Sequence, residues 1–177
     1  MGLRRRLLVV AALVLLGTAG PLYASVIWTL HDVRFDDATI AVGSFVYDDV
    51  ADTYSAWDIQ VQDAGFMPAY RYLPGVDDSF VGLHDATQVD FVALPVGTGG
   101  RYIRLAFTGP LTGMGGIVPL ATFPADPHSW ECDNCDITRY VTDGYVSSTA
   151  PVPEPGSVFL LGTGLVGLGR AWRKRRQ

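Results

Sequence analysis

Two cysteines three positions apart, Cys132 and Cys135 in the stretch C-D-N-C, have a spacing that resembles a metal or redox site in this chain of 177 residues. A structural zinc site needs about four ligands, and the chain offers these two cysteines with His128 nearby. A thioredoxin-type pair needs its first cysteine at a helix N-terminus, whereas strand-like residues follow this pair. We therefore favour a local disulfide that fixes a tight loop before the last strand, as in secreted domains, and keep zinc and redox chemistry as alternatives.

The other side chains capable of catalysis do not form a recognisable set. They are the scattered histidines and two acidic doublets: His31, His84, His128, Asp36-Asp37 and Asp77-Asp78. Neither G-x-S-x-G nor H-E-x-x-H occurs in the chain. Acidic pairs serve a glycosidase only when they face each other across a cleft, and adjacent residues on a strand point to opposite faces. The sequence therefore predicts no catalytic residues, no metal site and no cofactor, in a protein that is not an enzyme.

Charge is distributed unevenly along the chain. Residues 25–150 contain 17 of the 18 acidic residues, five arginines and no lysine, which gives this part a net charge of −12. All of these acids are aspartate except Glu131, and aspartate favours turns over helix interiors. We interpret them as a solvated surface with many turns, and calcium binding in the loops is a secondary alternative without an EF-hand motif. A field of this sign disfavours nucleic acid and anionic membrane surfaces as partners.

The elements that must position these residues are predicted to be strands. Apolar and polar residues alternate with a period of two over residues 57–61 and 103–107. Residues 89–94 carry apolar side chains on both faces, which predicts a strand buried on both sides. The aromatic residues predicted to form the core are Trp28, Phe45, Trp57, Phe91 and Phe107.

Turn-forming residues separate these runs. Aspartate-rich residues 48–53 and glycine-rich residues 95–101 each predict a hairpin loop. Short strands with frequent turns are typical of antiparallel sheets that close on themselves. The sequence therefore predicts an all-β exported domain over residues 25–146, an antiparallel β-sandwich or flattened barrel.

The N-terminus has the pattern of a secretory signal. Three arginines at 4–6 precede an apolar run over residues 7–16, and small residues follow. We predict a signal peptide at residues 1–24, with cleavage after Ala24, or alternatively after Ala19. An uncleaved anchor is the other alternative, although about ten apolar residues are short for a spanning helix.

The C-terminus carries a second, shorter apolar run. Small and proline residues at 147–152 predict an extended linker, and Pro153, Glu154 and Pro155 follow. A single transmembrane helix is predicted at about 156–172, although its uncharged part spans about 21 Å, against about 30 Å of hydrocarbon. The chain ends in a basic tail that the positive-inside rule places in the cytoplasm, namely Arg170, Arg173, Lys174, Arg175 and Arg176.

Residues 152–177 resemble the PEP-CTERM sorting signal of exported bacterial proteins in their Pro-Glu-Pro motif, glycine-rich apolar run and terminal basic cluster. The resemblance implies recognition by an exosortase, a membrane-embedded enzyme of Gram-negative-type envelopes, with Pro153, Glu154 and Pro155 as recognition residues. It also implies co-occurrence with exopolysaccharide or biofilm systems. Residues 27–61 resemble the opening of an exported β-domain that often precedes such tails, which implies no activity.

These observations predict an exported protein of the cell surface or extracellular matrix with a structural or binding role. The predicted route is an inner-membrane intermediate followed by surface delivery, with the exosortase as processing partner. Extracellular polysaccharide is a further candidate partner, and neutral glycans fit an acidic domain best. Tyr70, Tyr72 and Trp130 are the candidate contacts, with burial in the core as the equal alternative for each. The alternatives are an unprocessed, membrane-anchored periplasmic-side protein and, less favoured, a secreted hydrolase.

Overall fold

The computed structural model describes residues 25–97 and 99–149, with the side chain of Thr149 left out. These residues form ten β-strands and no helix. The strands are β1 (Val26–Phe35), β2 (Ile40–Asp48), β3 (Thr53–Val61), β4 (Tyr70–Tyr72), β5 (Phe80–Asp85), β6 (Gln88–Ala93), β7 (Arg101–Ala106), β8 (Gly115–Pro119), β9 (Trp130–Asp133) and β10 (Ile137–Thr149). The predicted signal peptide and C-terminal helix lie outside the described residues.

All strand pairs are antiparallel, in the order β4-β3-β2-β1-β10-β9-β7-β6-β5, and β8 also pairs with β10. The 13-residue β10 joins the two halves of the sheet, because its first residues pair with β9 and its later residues pair with β1 and β8. The halves curl toward each other into a half-barrel, and the predicted all-β, antiparallel fold is confirmed.

Glycine is required at two positions where neighbouring strands approach closely. Gly144 lies in β10 with a φ of +135°, and a Cβ atom there would lie 2.7 Å from the Cα of Val33 in β1. Gly43 in β2 has a φ of +141°, and a Cβ atom there would lie 2.0 Å from the backbone oxygen of Asp58 in β3. Any larger residue would push the paired strands apart, so both positions require glycine.

The predicted aromatic core is confirmed. All five of the aromatic residues predicted from the sequence are buried. Phe91 in β6 joins the two halves of the sheet, since its ring centroid lies 5.9 Å from that of Phe45 and 5.4 Å from that of Trp57. Offset and tilted aromatic pairs of this kind add stability beyond the area they bury.

The strand and hairpin predictions hold with two corrections. Loops join β2 to β3 and β6 to β7 as predicted. Val92 in β6 is buried on the second face, but Leu94 beyond the strand is exposed, so two-sided burial was wrong at that position. The linker predicted at 147–152 was also wrong at its start. Residues 147–149 continue β10 because their backbone pairs with Ile117, Gly116 and Gly115 of β8.

Candidate functional site

The cysteine pair forms the predicted disulfide. The S–S bond between Cys132 and Cys135 closes the hairpin between β9 and β10. Cys132 lies on a strand rather than at a helix N-terminus, the position that thioredoxin-type chemistry uses. Within residues 25–97 and 99–149, no group of three or more His, Cys, Asp or Glu side chains could hold a metal ion. The disulfide fixes the turn from which β10 begins.

Strand β9 alternates between a charged inner face and an outer face that carries an aromatic ring. Glu131 points inward and is 0% exposed, which corrects the prediction that the acids are solvated. Its Oε1 accepts hydrogen bonds from Arg101 Nη2 at 2.8 Å and from Tyr72 Oη at 2.9 Å. Its Oε2 accepts from Arg139 Nε at 2.6 Å. A buried carboxylate is tolerable here because two guanidinium groups and a hydroxyl replace its hydration.

The buried cluster continues outward through both arginines. Arg101 Nη1 lies 3.4 Å from Asp133 Oδ2, and Arg139 Nη1 lies 3.2 Å from Asp37 Oδ2. Burial would raise the pKa of Asp37, but hydrogen bonds from Thr39 and Arg139 outweigh it, so this pKa lies below its ordinary value. Opposite charges therefore alternate along the cluster, which ties β4, β7, β9 and β10 to the turn before β2.

Tyr72 belongs to this cluster and not to the surface. It is buried, and burial together with the neighbouring Glu131 raises the pKa of its hydroxyl well above the ordinary value. The hydroxyl therefore stays protonated and donates to the carboxylate. Of the two alternatives for Tyr72, sugar contact is excluded and core burial is confirmed, because its side chain lies inside the curled sheet. Tyr70 is half-buried, and its hydroxyl donates to Asp77 at 2.6 Å.

The outer face of the same strands carries aromatic rings. Backbone pairing places Tyr140, Trp130, Arg104 and Asp90 side by side across β10, β9, β7 and β6. The loop before β9 adds Phe123, which is 66% exposed, and His128. We call Phe123, His128, Trp130 and Tyr140 the aromatic face. Trp130, a candidate contact from the sequence, lies in it.

Ring contacts hold the aromatic face together. The Phe123 centroid lies 5.7 Å from that of His128 and 5.9 Å from that of Tyr140, and the His128 and Tyr140 centroids are 5.4 Å apart. His128 Nδ1 is also 2.9 Å from the backbone oxygen of Ala125, which fixes the imidazole. Beside the rings lies an open groove of about 260 Å³, lined by His128, Trp130, Cys135, Thr138 and Tyr140.

The positive charge of Arg104, which lies beside the aromatic face, is balanced by a neighbouring carboxylate. Arg104 forms a bidentate pair with Asp90, with Nε–Oδ1 and Nη2–Oδ2 distances of 2.6 and 2.7 Å. The hydrogen bonds that Arg104 donates to Asp90 raise the pKa of the guanidinium above its ordinary value. Its Cζ lies 5.1 Å from the Trp130 ring centroid, so the guanidinium also braces the indole from one side. The pair orients Trp130 and adds little net charge.

The scattered candidates of the sequence do not meet in one site. His31 lies on β1, stacks on Tyr145 at 5.0 Å and contacts Ser147, whereas His84 lies on β5. Asp36 accepts from the backbone N–H of Tyr140, while its neighbour Asp37 joins the buried cluster. Phe123 and Tyr140 were missed by sequence reasoning. The alternation of Arg139 and Tyr140 was visible, but nothing in it showed which of the two points inward.

Comparison with known families identifies the type of the C-terminal segment. Residues 151–176 match the PEP-CTERM protein-sorting motif. The resemblance seen in the sequence is therefore confirmed, and the motif supports an exported protein that an exosortase sorts to the cell surface. No curated protein and no solved structure matches the chain.

The match lies beyond the residues that the structure describes. Pro153, Glu154, Pro155 and the basic tail at 170–176 are accordingly placed by sequence alone. In the described part of the chain, no helix has the length and apolar character needed to cross a membrane.

Proposed function

We propose that the exported domain is a binding module that holds neutral polysaccharide chains on its aromatic face after sorting to the cell surface. The observation that carries this proposal is the aromatic face itself, where rings lie exposed on an ordered sheet beside an open groove. In this proposal the protein has no catalytic role and fixes itself, or its partners, in an extracellular matrix.

The chemistry of the face suits a sugar ring. The C–H groups of a pyranose carry partial positive charge and pack against the electron-rich face of an aromatic ring. Trp130 and Tyr140 are neighbours on β9 and β10, so a sugar can contact both. Thr138 and His128 line the same groove and offer a hydroxyl and an imidazole for hydrogen bonds to sugar hydroxyls.

Charge favours a neutral ligand. The domain carries a net charge of −12, which repels acidic polysaccharides unless divalent ions bridge them. The Arg104 guanidinium on this face is paired with Asp90, so its positive charge is already neutralised. A neutral polysaccharide is not repelled in this way. The link to exopolysaccharide and biofilm that the sorting signal implies supports a polysaccharide as the ligand, and the charge argument adds that it is neutral.

Affinity electrophoresis of the full chain in mild detergent tests the proposal. We expect gels containing neutral β-glucan or galactomannan to retard the protein, and gels containing alginate to leave its mobility unchanged. Trp130→Ala and Tyr140→Ala should each weaken retardation at least tenfold, because each removes one ring of the platform.

The matched control is Phe66→Ala, since Phe66 is another exposed aromatic residue but lies in the loop between β3 and β4. This variant should bind like the parent protein. Binding to alginate alone, or an equal loss in all three variants, would contradict the proposal. Thermal unfolding of each variant separates loss of binding from loss of fold.

A further inference from the structure

Both ends of the described chain leave the sheet at the same end of the domain. Strands β1 and β10 are antiparallel neighbours, with Thr29 opposite Ser147. The hydroxyl of Ser148 donates to the backbone oxygen of Ile27. The start of β1 and the end of β10 therefore lie side by side. The segments that carry the predicted export signal and the sorting motif are therefore attached at one end of the domain.

Two loops reach the same end. Ser25 Oγ donates to Asp48 Oδ2 at 3.1 Å, which places the turn between β2 and β3 beside the start of β1. The backbone N–H of Gly113 donates to Asp49 Oδ2 at 2.7 Å, and Gly115 pairs with Thr149. We call residues 25–27, 48–52, 113–117 and 147–149 the terminal end.

The terminal end exposes large apolar side chains. They are Ile27, Val50, Met114 and Ile117, and the last three are each more than 70% exposed. The acids of the same turn are engaged locally. Asp48 Oδ1 accepts from the backbone N–H groups of Val50 and Ala51, and Asp52 accepts from the Tyr47 hydroxyl at 2.9 Å. The turn therefore keeps its carboxylates in local hydrogen bonds while Val50 faces solvent.

We propose that the terminal end is a membrane-contacting surface, which rests on the lipid headgroup region while the C-terminal segment holds the protein before processing. The apolar run begins at Gly156, seven residues beyond Thr149. Seven extended residues span at most about 25 Å, so the tethered domain cannot move far from the bilayer. Apolar side chains held that close enter the interface at a high effective concentration.

The lipid expected in this contact is zwitterionic. The domain's net charge of −12 opposes an anionic surface, and the terminal end includes Asp48, Asp49 and Asp52. Its attraction to the bilayer comes from the apolar side chains alone. The contact uses the terminal end and not the aromatic face, so it stands independently of glycan binding.

Site-specific cross-linking of the full chain tests this surface. The protein is reconstituted through its C-terminal segment into phosphatidylcholine vesicles, with a benzophenone amino acid at position 50 or at position 96. Val96 is the matched control, because it is also a valine in a hairpin loop and is 96% exposed. Its loop lies near the start of β10, since the N–H of Asn134 donates to Gly100. The two positions lie toward opposite ends of the 13-residue β10, which would span about 40 Å if it were straight and spans less in a curled sheet.

We expect lipid cross-linking at position 50 to exceed that at position 96 at least fivefold. Met114→Asp should reduce the yield at position 50 at least threefold, and including 30% phosphatidylglycerol should also reduce it. Equal yields at the two positions would overturn the proposal. Cross-linking at position 50 to a second copy of the chain instead of lipid would overturn it too. A chain that does not co-float with the vesicles overturns it as well, because tethering is part of the proposal.

Discussion

The two faces of β9 can be compared directly, because adjacent residues of one short strand point to opposite sides. Glu131 points into the domain and meets Arg101 and Arg139, whereas Trp130 points outward into the aromatic face. Charge is thus buried and an aromatic ring is left at the surface, the reverse of the usual distribution. The difference shows that the available interaction partners, and not the residue type alone, determine whether a strand residue points into the domain or toward solvent.

The physical reason differs on the two sides. Inside, each charged group is near a group of opposite sign, so the cost of removing it from water is offset by ion pairs and hydrogen bonds. Outside, the Trp130 side chain remains partly exposed to solvent because the adjacent groove is open. The inner cluster connects distant parts of the chain, and the outer rings remain available to a ligand. Changes on the two sides should therefore affect different properties.

The largest effect is expected from Glu131→Ala. It leaves Arg101 and Arg139 buried without their shared carboxylate, and breaking a buried ion pair in this way costs about 3–5 kcal/mol of unfolding free energy. Urea denaturation measures the change. Asp58→Ala is the matched control, because the Asp58–Arg71 pair is exposed to solvent and its loss should cost far less stability. Similar losses of unfolding free energy in the two variants would show that the buried cluster stabilises the fold no more than an exposed ion pair does.

Acid should weaken the fold through carboxylates that are stabilised as anions. Hydrogen bonds from Thr39 and Arg139 outweigh burial to hold the pKa of Asp37 below 3.8, and bonds from Arg71 lower that of Asp58. The unfolded chain therefore binds protons at higher pH than the folded chain does. This stabilisation is fully present above about pH 4 and is lost as the pH falls through the lower, folded-state values.

Thermal unfolding between pH 7 and pH 3 checks the direction. The unfolding midpoint should fall toward pH 3, and Asp37→Asn should reduce that dependence. A midpoint that is unchanged or rises at pH 3 would contradict the assignment. An Asp37→Asn variant with the full acid dependence of the parent would exclude Asp37 as a source.

The smallest effect on stability is expected on the outer face. Phe123→Ala removes a ring that is largely in water, so the unfolding free energy should change by less than about 1 kcal/mol. Phe91→Ala provides the contrast, because Phe91 is buried between the halves of the sheet and its loss should cost about 3–5 kcal/mol. Urea denaturation compares them. A loss of several kcal/mol at Phe123 would mean that the outer rings are part of the core.

Local patterns predicted much of the fold. The alternation around Trp57 and the turns at 48–53 and 95–101 were sufficient for strands and hairpins, because side-chain period and turn chemistry are local properties. The spacing of Cys132 and Cys135 also predicted the disulfide. The sequence left Tyr72 undecided between surface and core, because its partner Glu131 is 59 residues away in sequence. The composition of residues 147–149 predicts a linker, because their pairing with β8 is a long-range contact that local sequence does not show.

The sequence by itself determined the sorting motif, the uneven charge, the all-β class, the core aromatics and the disulfide, since each depends on composition or on residues near one another in the chain. The tertiary structure alone decided that Glu131 is buried between two arginines and that Phe123 and Tyr140 join Trp130 on one surface. It also decided that the first and last described residues lie at one end of the domain. These features depend on how β10 joins the two halves of the sheet, and that pairing brings together residues more than 100 positions apart.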